Sequence, residues 1–293
     1  MRIDLMAGAT NLATLPGLRG ARQPQPVILV FDSGLGGLTV LEQVRRARPD
    51  AAYVYAADDA AFPYGRLSEP QLVARVLAVM ERLIALHSPD LVVIACNTAS
   101  TVVLPALRQR FVTPFVGVVP PIKPAAALTR SGLVSLLATP GTVARAYTRD
   151  LVKNYAATCA VSLVGSVNLA RYAEAEMAGA PVPDAAILAE IAPCFDERED
   201  GRRTDVVCLS CTHYPLLLAR FERLAPWPVT WIDPAPAIAR RVVQLLGEAG
   251  PAEASEGLAV FTGGTGLNPA LARALTGRGL AETTVEAMPL AAD

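Results

Sequence analysis

The sequence predicts an α/β protein with parallel sheets in two similar halves. Short apolar runs alternate with helical segments along most of the chain, which is typical of parallel sheets covered by helices on both faces. The 293 residues correspond to two domains of ordinary size. One apolar run in each half ends in a polar turn that begins with a cysteine, at 96–98 and at 211–213.

Four strands are predicted in the first half from apolar runs at 27–31, 52–56, 91–95 and 115–118. Apolar residues at helical spacing predict amphipathic helices that begin near Leu38 and Leu72. Three prolines, Pro120, Pro121 and Pro124, then crowd one stretch, and we expect the chain to cross between domains there.

The second half repeats this alternation. Its predicted strands lie at 133–138, 161–164, 205–209, 229–232 and 258–262, and its predicted helices at 143–151, 169–177, 185–195, 236–246 and 268–275. If the last segment returns to the first sheet, the chain crosses twice between domains. We therefore expect a first domain of residues 25–118 plus 233–293, a second domain of residues 119–232, and a flexible N-terminal extension at 1–24.

Composition narrows the class of function. Hydrophobic residues make up 52% of the chain and charged residues 18%, so a large core is expected. The net charge is -1 and no basic stripe is visible, which argues against a nucleic-acid partner. No apolar run approaches the roughly 18 residues of a membrane helix, and residues 1–24 lack the apolar core of a secretion signal. We therefore expect a cytoplasmic protein without a membrane partner.

The five cysteines fall into two groups. Cys159, Cys194 and Cys208 are interpreted as packing residues, because free cysteine is commonly buried and an odd count argues against a disulfide framework. Cys96 and Cys211 each follow a predicted strand and precede a predicted helix, where ligands bind in open α/β sheets and where a thiolate is favoured. Two facing thiols suit a reaction in which one group removes a proton and the other returns one.

The glycine-rich turn at 32–37 permits several interpretations. Its backbone N–H groups resemble an anion cradle at a helix start, although the glycines do not match a nucleotide fingerprint or a P-loop. The anion could equally be a carboxylate. Asp32 would repel an anion, and it suits a substrate ammonium, a proton transfer, or a cap on the next helix.

Metal and cofactor chemistry find little support in the sequence. Cys208 and Cys211 form a C-x-x-C pair, but no second pair exists to complete a zinc site, and the apolar strand fits a redox motif poorly. Neither of the two lysines lies in a motif that suggests a pyridoxal-phosphate Schiff base. His213 could tune the protonation of Cys211 or be a satisfied buried imidazole. We expect no metal and no cofactor.

Five motifs occur in a fixed order along the chain. They are Phe31-Asp32-Ser33-Gly34-Leu35-Gly36-Gly37-Leu38-Thr39-Val40, Pro63-Tyr64-Gly65, Ala95-Cys96-Asn97-Thr98-Ala99-Ser100, Ala138-Thr139-Pro140-Gly141-Thr142 and Ser210-Cys211-Thr212-His213-Tyr214-Pro215. In this order and spacing, over residues 27–262, they resemble the glutamate racemase family of the aspartate/glutamate racemase superfamily.

The resemblance implies two similar α/β domains with the active site in the cleft between them. It also implies a cofactor-independent exchange of L- and D-glutamate that supplies D-glutamate for peptidoglycan. We further expect a homodimer, because dimers are the commonest assembly. The two motif cysteines would be the bases: Cys96 would take the α-proton of D-glutamate and Cys211 that of L-glutamate. Asp32 and His213 would assist their respective thiols.

Further residues match positions that bind the substrate carboxylates and ammonium in that family. They are Asp32, Ser33, Tyr64, Gly65, Asn97, Thr98, Thr139, Thr212 and His213. The chain departs from the family before the Tyr64 loop, at Ser210, and at 165–168. The glutamate that often lies near the second thiol therefore has two candidates, Glu174 and Glu176.

Three other functions stay open at this point. An aspartate racemase or another two-cysteine isomerase differs from a glutamate racemase in pocket length. A two-domain binding protein for an acidic ligand would leave the thiols inert. A thiol-dependent lyase or decarboxylase of related fold needs only one thiol, so the presence of both Cys96 and Cys211 argues against it.

Overall fold

The structure is a computed structural model that describes residues 25–251, 255–264 and 268–288. The predicted extension at 1–24 lies outside the described residues. Ten strands occur in the described part of the chain. They are β1 (Val27–Asp32), β2 (Ala52–Ala57), β3 (Leu91–Ile94), β4 (Phe115–Gly117), β5 (Leu133–Ala138), β6 (Ala160–Gly165), β7 (Val206–Ser210), β8 (Thr230–Ile232), β9 (Gly257–Phe261) and β10 (Leu280–Val285).

The strands form two sheets. The larger has the order β10-β9-β2-β1-β3-β4 and the smaller the order β6-β5-β7-β8. Every ladder in both sheets is parallel. Because the strands of each sheet run in one direction, their carboxyl ends meet along one edge, which is where open α/β sheets bind ligands.

Helices connect the strands. They are α1 (Leu38–Ala47), α2 (Glu69–His87), α3 (Asn97–Arg110), α4 (Ile122–Leu128), α5 (Pro140–Ala144), α6 (Ala146–Tyr155), α7 (Leu169–Met177), α8 (Asp184–Ile191), α9 (Leu218–Leu224), α10 (Ala235–Leu246) and α11 (Pro269–Thr276). Short 3₁₀ turns cover Asp59–Ala61, Tyr64–Arg66, Ala192–Cys194 and Tyr214–Leu217.

Each sheet is covered on both faces by apolar helix surfaces. In the larger sheet, α1 and α10 pack on one face and α2 and α3 on the other. In the smaller sheet, α7, α8 and α9 pack on one face and α4 and α6 on the other. Burying each Leu, Val or Phe of these cores contributes about 1.5–3 kcal/mol. The predicted fold class, α/β with two doubly wound parallel sheets, is confirmed.

Several predicted elements differ in detail. The single helix expected at 143–151 is divided into α5 and α6, because Arg145 has an extended backbone (φ -68, ψ 139). The helix expected at 185–195 ends at Ile191 and gives way to a 3₁₀ turn that contains Pro193. The proline-rich crossover contains α4, in which Pro124 stands in the first turn, where its missing N–H costs no hydrogen bond.

The chain passes from the larger sheet to the smaller one between β4 and α4, and it returns between β8 and α10. The division of the chain into two domains at these connections stays a prediction. Within the described residues, no helix is long and apolar enough to cross a membrane.

Candidate active site

The carboxyl ends of the two sheets line one small cavity, which is partly open to solvent and has about 310 Å³ of empty space. Residues from both sheets line it: Ser33, Phe62, Pro63, Tyr64, Gly65, Cys96, Asn97, Thr98, Thr139, Ala170, Cys211, Thr212 and His213. The two candidate cysteines, which belong to different sheets, therefore share one cavity.

Cys96 lies at the junction of a buried strand and a helix. All four residues of β3 are buried, and Cys96 is the N-cap of α3. Its sulfur lies 3.7 Å from the hydroxyl oxygen of Ser33. Burial raises the pKa of the Cys96 thiol above its ordinary range, and the carboxylate of Asp32 raises it further. The helix start alone would favour the thiolate, whereas burial and the charge of Asp32 both favour the neutral thiol.

Asp32 lies behind the cavity wall rather than in it. Its side chain is fully buried and accepts hydrogen bonds from the backbone of Ser33 at 2.8 Å, from the backbone of Gly37, and from the hydroxyl of Thr212 at 2.9 Å. Burial raises the pKa of Asp32, although the imidazole of His213 and these donors oppose the rise. Among the described residues, no hydrogen bond joins Asp32 to Cys96. Asp32 therefore acts on the cysteine through its charge and through Ser33.

Cys211 is paired with an imidazole. The Sγ atom of Cys211 lies 3.7 Å from Nδ1 of His213, and Nε2 of the same ring lies 2.8 Å from Oε1 of Glu174. Burial alone would lower the pKa of His213, but the hydrogen bonds to Cys211 and Glu174 outweigh it and raise the pKa well above the ordinary value. A charged imidazolium at this position stabilises negative charge on the adjacent sulfur.

The structure resolves the choice between the two glutamates. Glu174, on α7, contacts the imidazole of His213. Glu176, two residues along the same helix, forms an ion pair with Arg220 instead. The sequence did not distinguish them, because both lie in one turn of the helix and only the packing of α7 decides which of them faces the cleft.

The glycine turn at 32–37 is not an open anion cradle. Leu35 donates its N–H to Glu174 at 2.8 Å, and Gly36 directs its N–H toward Nε2 of His213 at 3.2 Å. A side chain at position 36 would bring a Cβ within 2.5 Å of the His213 ring. The glycines thus let residues from the other sheet approach the backbone, and the donors that we expected to hold an anion are already used. Asp32 does not cap the next helix with its side chain either, since the N-cap of α1 is Gly37.

Tyr64 is held in the cavity wall by a buried carboxylate. Its hydroxyl donates to Asp58 at 2.5 Å, and Thr262 donates to the same carboxylate at 2.6 Å. Arg75 donates to both oxygens of Asp58 and to the carbonyl oxygen of Met288. This network connects the cavity wall to α2 and to the segment that follows β10.

Three threonines meet across the cleft. The hydroxyl oxygen of Thr98, from α3, lies 3.1 Å from that of Thr139 and 3.4 Å from that of Thr142, which belong to the smaller sheet's side. Hydroxyl groups can donate or accept, so this cluster can reorient toward a bound carboxylate or ammonium.

Asn97 is the polar side chain that most clearly lacks a partner. It is 2% exposed and lines the cavity, yet neither its amide nitrogen nor its oxygen has a hydrogen-bond partner in the described part of the chain. Leaving such a group buried costs about 1–3 kcal/mol. A ligand in the cavity would remove this cost.

Most residues expected at the site line the cavity. Ser33, Tyr64, Gly65, Asn97, Thr98, Thr139, Thr212, Cys96, Cys211 and His213 do so, and Asp32 does not. Phe62 was not expected there; its ring lies 5.5 Å from the His213 ring, and only the structure reveals this contact. In the described residues, no cluster of His, Cys, Asp and Glu has an arrangement that could hold a metal ion.

The chain matches the family model described as Asp/Glu/hydantoin racemase over residues 38–242. It is 56% identical over 241 residues to the glutamate racemase of Brucella anthropi, which covers 82% of this chain and 85% of that protein. It is 57% identical over 240 residues to the glutamate racemase of Agrobacterium fabrum, with 81% and 88% covered.

This chain belongs to the Asp/Glu/hydantoin racemase family. The predicted family and the predicted enzyme class, an isomerase, are confirmed. Among solved structures, the chain resembles the Escherichia coli glutamate racemase in complex with L-glutamate and the activator UDP-MurNAc-Ala, with a TM-score of 0.81 and 40% identity. That similarity covers 90% of this chain and 99% of the other.

The geometry accounts for what a racemase of this family needs. Racemisation requires a base on one face of a stereocentre and an acid on the other. Here the sulfurs of Cys96 and Cys211 come from different sheets and share a cavity whose other polar side chains, apart from the imidazole of His213, are neutral donors and acceptors. Nδ1 of His213 faces the sulfur of Cys211 and Nε2 faces Glu174, so a charged ring can give its Nδ1 proton to that sulfur and keep its Nε2–H on Glu174.

Proposed function

We propose that this protein is a glutamate racemase that interconverts L- and D-glutamate without a cofactor, by two cysteines acting from opposite faces of the α-carbon. The observation that carries the proposal is that Cys96 and Cys211, from two different sheets, line one cavity with an imidazole beside one sulfur. The names of the relatives, which share 56–57% identity with this chain, support glutamate as the substrate.

The reaction consists of two proton transfers. From L-glutamate, the thiolate of Cys211 takes the α-proton and becomes a thiol, leaving a carbanion whose charge spreads into the α-carboxylate. The thiol of Cys96 then gives its proton to the opposite face, producing D-glutamate and a thiolate at Cys96. The reverse reaction exchanges the roles of the two residues, and no external oxidant or reductant is required.

The cavity supplies stabilisation for the carbanion. An α-proton beside a carboxylate is far less acidic than a thiol, so the intermediate must be stabilised by preorganised donors. Asn97 and Thr98 are buried donors at the cavity wall, whereas the hydroxyl of Thr212 already donates to Asp32. The unpartnered amide of Asn97 is the strongest candidate, because substrate binding would satisfy an atom that is otherwise buried without a hydrogen bond. Closure of the two sheets around the substrate excludes water and strengthens these contacts.

Optical rotation tests the proposal directly. Circular dichroism of L-glutamate incubated with the protein, after dialysis against a chelator, should decay to zero as the racemic mixture forms. Cys96→Ser and Cys211→Ser should each abolish this decay, whereas Cys208→Ser should retain it, since Cys208 lies in the strand with its sulfur 3.6 Å from the carbonyl oxygen of Pro121. Full turnover in both single variants would contradict the proposal.

The same assay separates the rival functions. A faster decay with L-aspartate than with L-glutamate would indicate an aspartate racemase. Thermal stabilisation by L-glutamate without loss of optical rotation would indicate a binding protein. Release of carbon dioxide or ammonia would indicate a decarboxylase or lyase.

Supply of D-glutamate to peptidoglycan synthesis is the expected role of such an activity in the cell. It predicts that loss of the gene creates a requirement for D-glutamate in a bacterium that has no other source of it. The cytoplasmic location and the homodimer likewise remain predictions; sedimentation of the purified protein would test the second.

A further inference from the structure

Phe62 occupies a defined position between the two halves of the site. Its ring lies 5.5 Å from the imidazole of His213 at an interplanar angle of 42°, and it lines the cavity. On another side it approaches Gly34, where a Cβ would come within 3.0 Å of the ring. Phe62 precedes the loop of Tyr64 and belongs to the larger sheet's side of the cleft, whereas His213 belongs to the smaller sheet's side.

The imidazole of His213 is therefore held by groups from the opposite side of the cleft. The N–H of Gly36 faces its Nε2 atom at 3.2 Å, and the N–H of Leu35 fixes the carboxylate of Glu174 that contacts the same nitrogen. The Phe62 ring lies beside the imidazole at a tilt of 42°. Of the contacts from the larger sheet's side, that of Phe62 is made by a side chain, which a substitution can change without altering the backbone donors.

We propose that Phe62 is a positioning residue for proton transfer at Cys211, because its ring orients the imidazole of His213 when the cleft is closed. This inference rests on the proposed racemase function. It goes beyond that function because it assigns Phe62 a role in proton transfer at Cys211 and none at Cys96.

Cys96 provides the contrast. Its sulfur contacts the hydroxyl of Ser33, and loss of the Phe62 ring leaves this contact in place. The proposal therefore predicts an effect on one of two proton transfers. Since the two enantiomers have equal free energies in water, kcat/KM must fall equally in both directions, and the asymmetry appears only in isotope effects.

The main variant is Phe62→Leu, which keeps an apolar side chain but removes the ring. We expect kcat/KM to fall roughly 2- to 13-fold in both directions, the range for loss of one aromatic contact. The primary isotope effect on kcat/KM should rise for the α-deuterated enantiomer that Cys211 deprotonates, and it should fall for the other. Cys211→Ser identifies that enantiomer as the one whose α-proton no longer exchanges with solvent.

Two further variants separate positioning from packing. Phe62→Tyr keeps the ring and should retain the wild-type isotope effects. Phe111→Leu, which removes a partly buried ring that pairs with Phe115, serves as the matched control and should change stability alone. If Phe62→Leu does not fold, Phe62→Met takes its place in the same comparison.

A spectroscopic readout does not depend on turnover. The chain has two histidines, so ring signals of His213 can be assigned by comparison with His213→Gln, and His87 is the internal control. Phe62→Leu should remove the ring-current shift of the His213 signals and leave those of His87 unchanged.

Unchanged isotope effects and unchanged His213 signals in Phe62→Leu, with racemisation by the wild-type protein intact, would overturn this inference alone. The same holds if Phe111→Leu or Phe62→Tyr shifts the isotope effects as much as Phe62→Leu does. A wild-type protein that does not racemise glutamate would overturn both proposals.

Discussion

In the proposed reaction the Cys96 and Cys211 sides of the cavity would perform matching proton transfers, but the groups around the two sulfurs differ. Cys96 is a helix N-cap beside a hydroxyl, and a buried carboxylate lies behind it. Cys211 precedes a short 3₁₀ turn and contacts an imidazole that a second carboxylate supports. The difference teaches that a helix start is not required for a reactive thiol, because an adjacent imidazole can carry the charge instead.

The two sides also differ in where their supporting groups originate. The Ser33 hydroxyl that contacts Cys96 comes from the same half of the molecule, although Thr212 of the other half donates to Asp32. The imidazole of His213 is fixed by the glycine turn and by Phe62, which come from the other half. We infer that the Cys211 side reaches its working geometry only when the two halves are together.

The largest expected effect comes from removing one thiol at a time. Cys96→Ser and Cys211→Ser should each lower kcat/KM by about 10²–10⁴-fold, the usual contribution of a positioned acid or base. Each variant should still exchange the α-proton of one enantiomer with deuterated solvent, because one thiol remains. Proton NMR in deuterium oxide measures this exchange; exchange of both enantiomers by either variant would contradict the two-base comparison.

The next effect tests the carboxylate behind the imidazole. Glu174→Gln keeps an acceptor for the N–H of Leu35 but removes the charge that faces His213, so kcat/KM should fall roughly 10- to 150-fold, as expected for loss of a charged hydrogen bond. Glu176→Gln is the matched control, since Glu176 pairs with Arg220. Steady-state rates by circular dichroism would decide; an equal loss in both variants would count against a specific role for Glu174.

A smaller effect is expected at Asn97, whose amide is hydrogen-bonded to neither thiol in the described chain. Asn97→Ala removes a buried amide that lacks a partner in the described chain, so the KM for glutamate should rise about tenfold while the unliganded protein melts at the same or a higher temperature. Asn168→Ala is the contrasting control, because its amide donates to Glu190 at 2.7 Å and its removal should lower the melting temperature. A lower melting temperature for Asn97→Ala with an unchanged KM would show that Asn97 stabilises the fold and does not bind the substrate.

The smallest effect is the pH dependence of stability that His213 contributes. The folded pKa of His213 is raised well above its unfolded value of about 6.5, so the folded state keeps a proton that the unfolded state has lost. Stability from this group is fully present below about pH 6.5 and falls as the pH rises through the folded pKa.

Urea unfolding between about pH 6.5 and 8.5 measures this slope, whose maximum for a single group is about 1.4 kcal/mol per pH unit. His213→Gln should flatten it, and His87→Gln, whose imidazole has a pKa lowered by burial, should not. Equal slopes in the wild-type protein and in His213→Gln would show that His213 is not charged in the folded state.

Sequence patterns predicted the strands that are buried and apolar. The runs that became β1, β3 and β5 consist of buried residues throughout or nearly so, and their apolar composition is visible without any partner. The edge strand β10 was missed because five of its six residues are exposed, so it lacks both an apolar run and a strict alternation. Its position depends on pairing with β9, which local sequence does not encode.

The sequence predicted most residues of the site, but it did not predict the hydrogen bonds and contacts between them. Motif positions led to Cys96, Cys211 and His213, which line one cavity. The burial of Asp32 behind the wall and the use of the glycine-turn N–H groups by the opposite half depend on how the sheets meet. Such contacts between residues more than a hundred positions apart leave no local pattern.

The anchoring of Tyr64 has a practical consequence for the far end of the chain. Through Asp58 and Arg75, the wall that touches the substrate is tied to the carbonyl of Met288, close to the C-terminus. A carboxypeptidase or a stop codon that trims the chain to residue 285 would cut this tie without touching a catalytic group. We expect the side chain of Tyr64 to become more mobile and the KM for glutamate to rise.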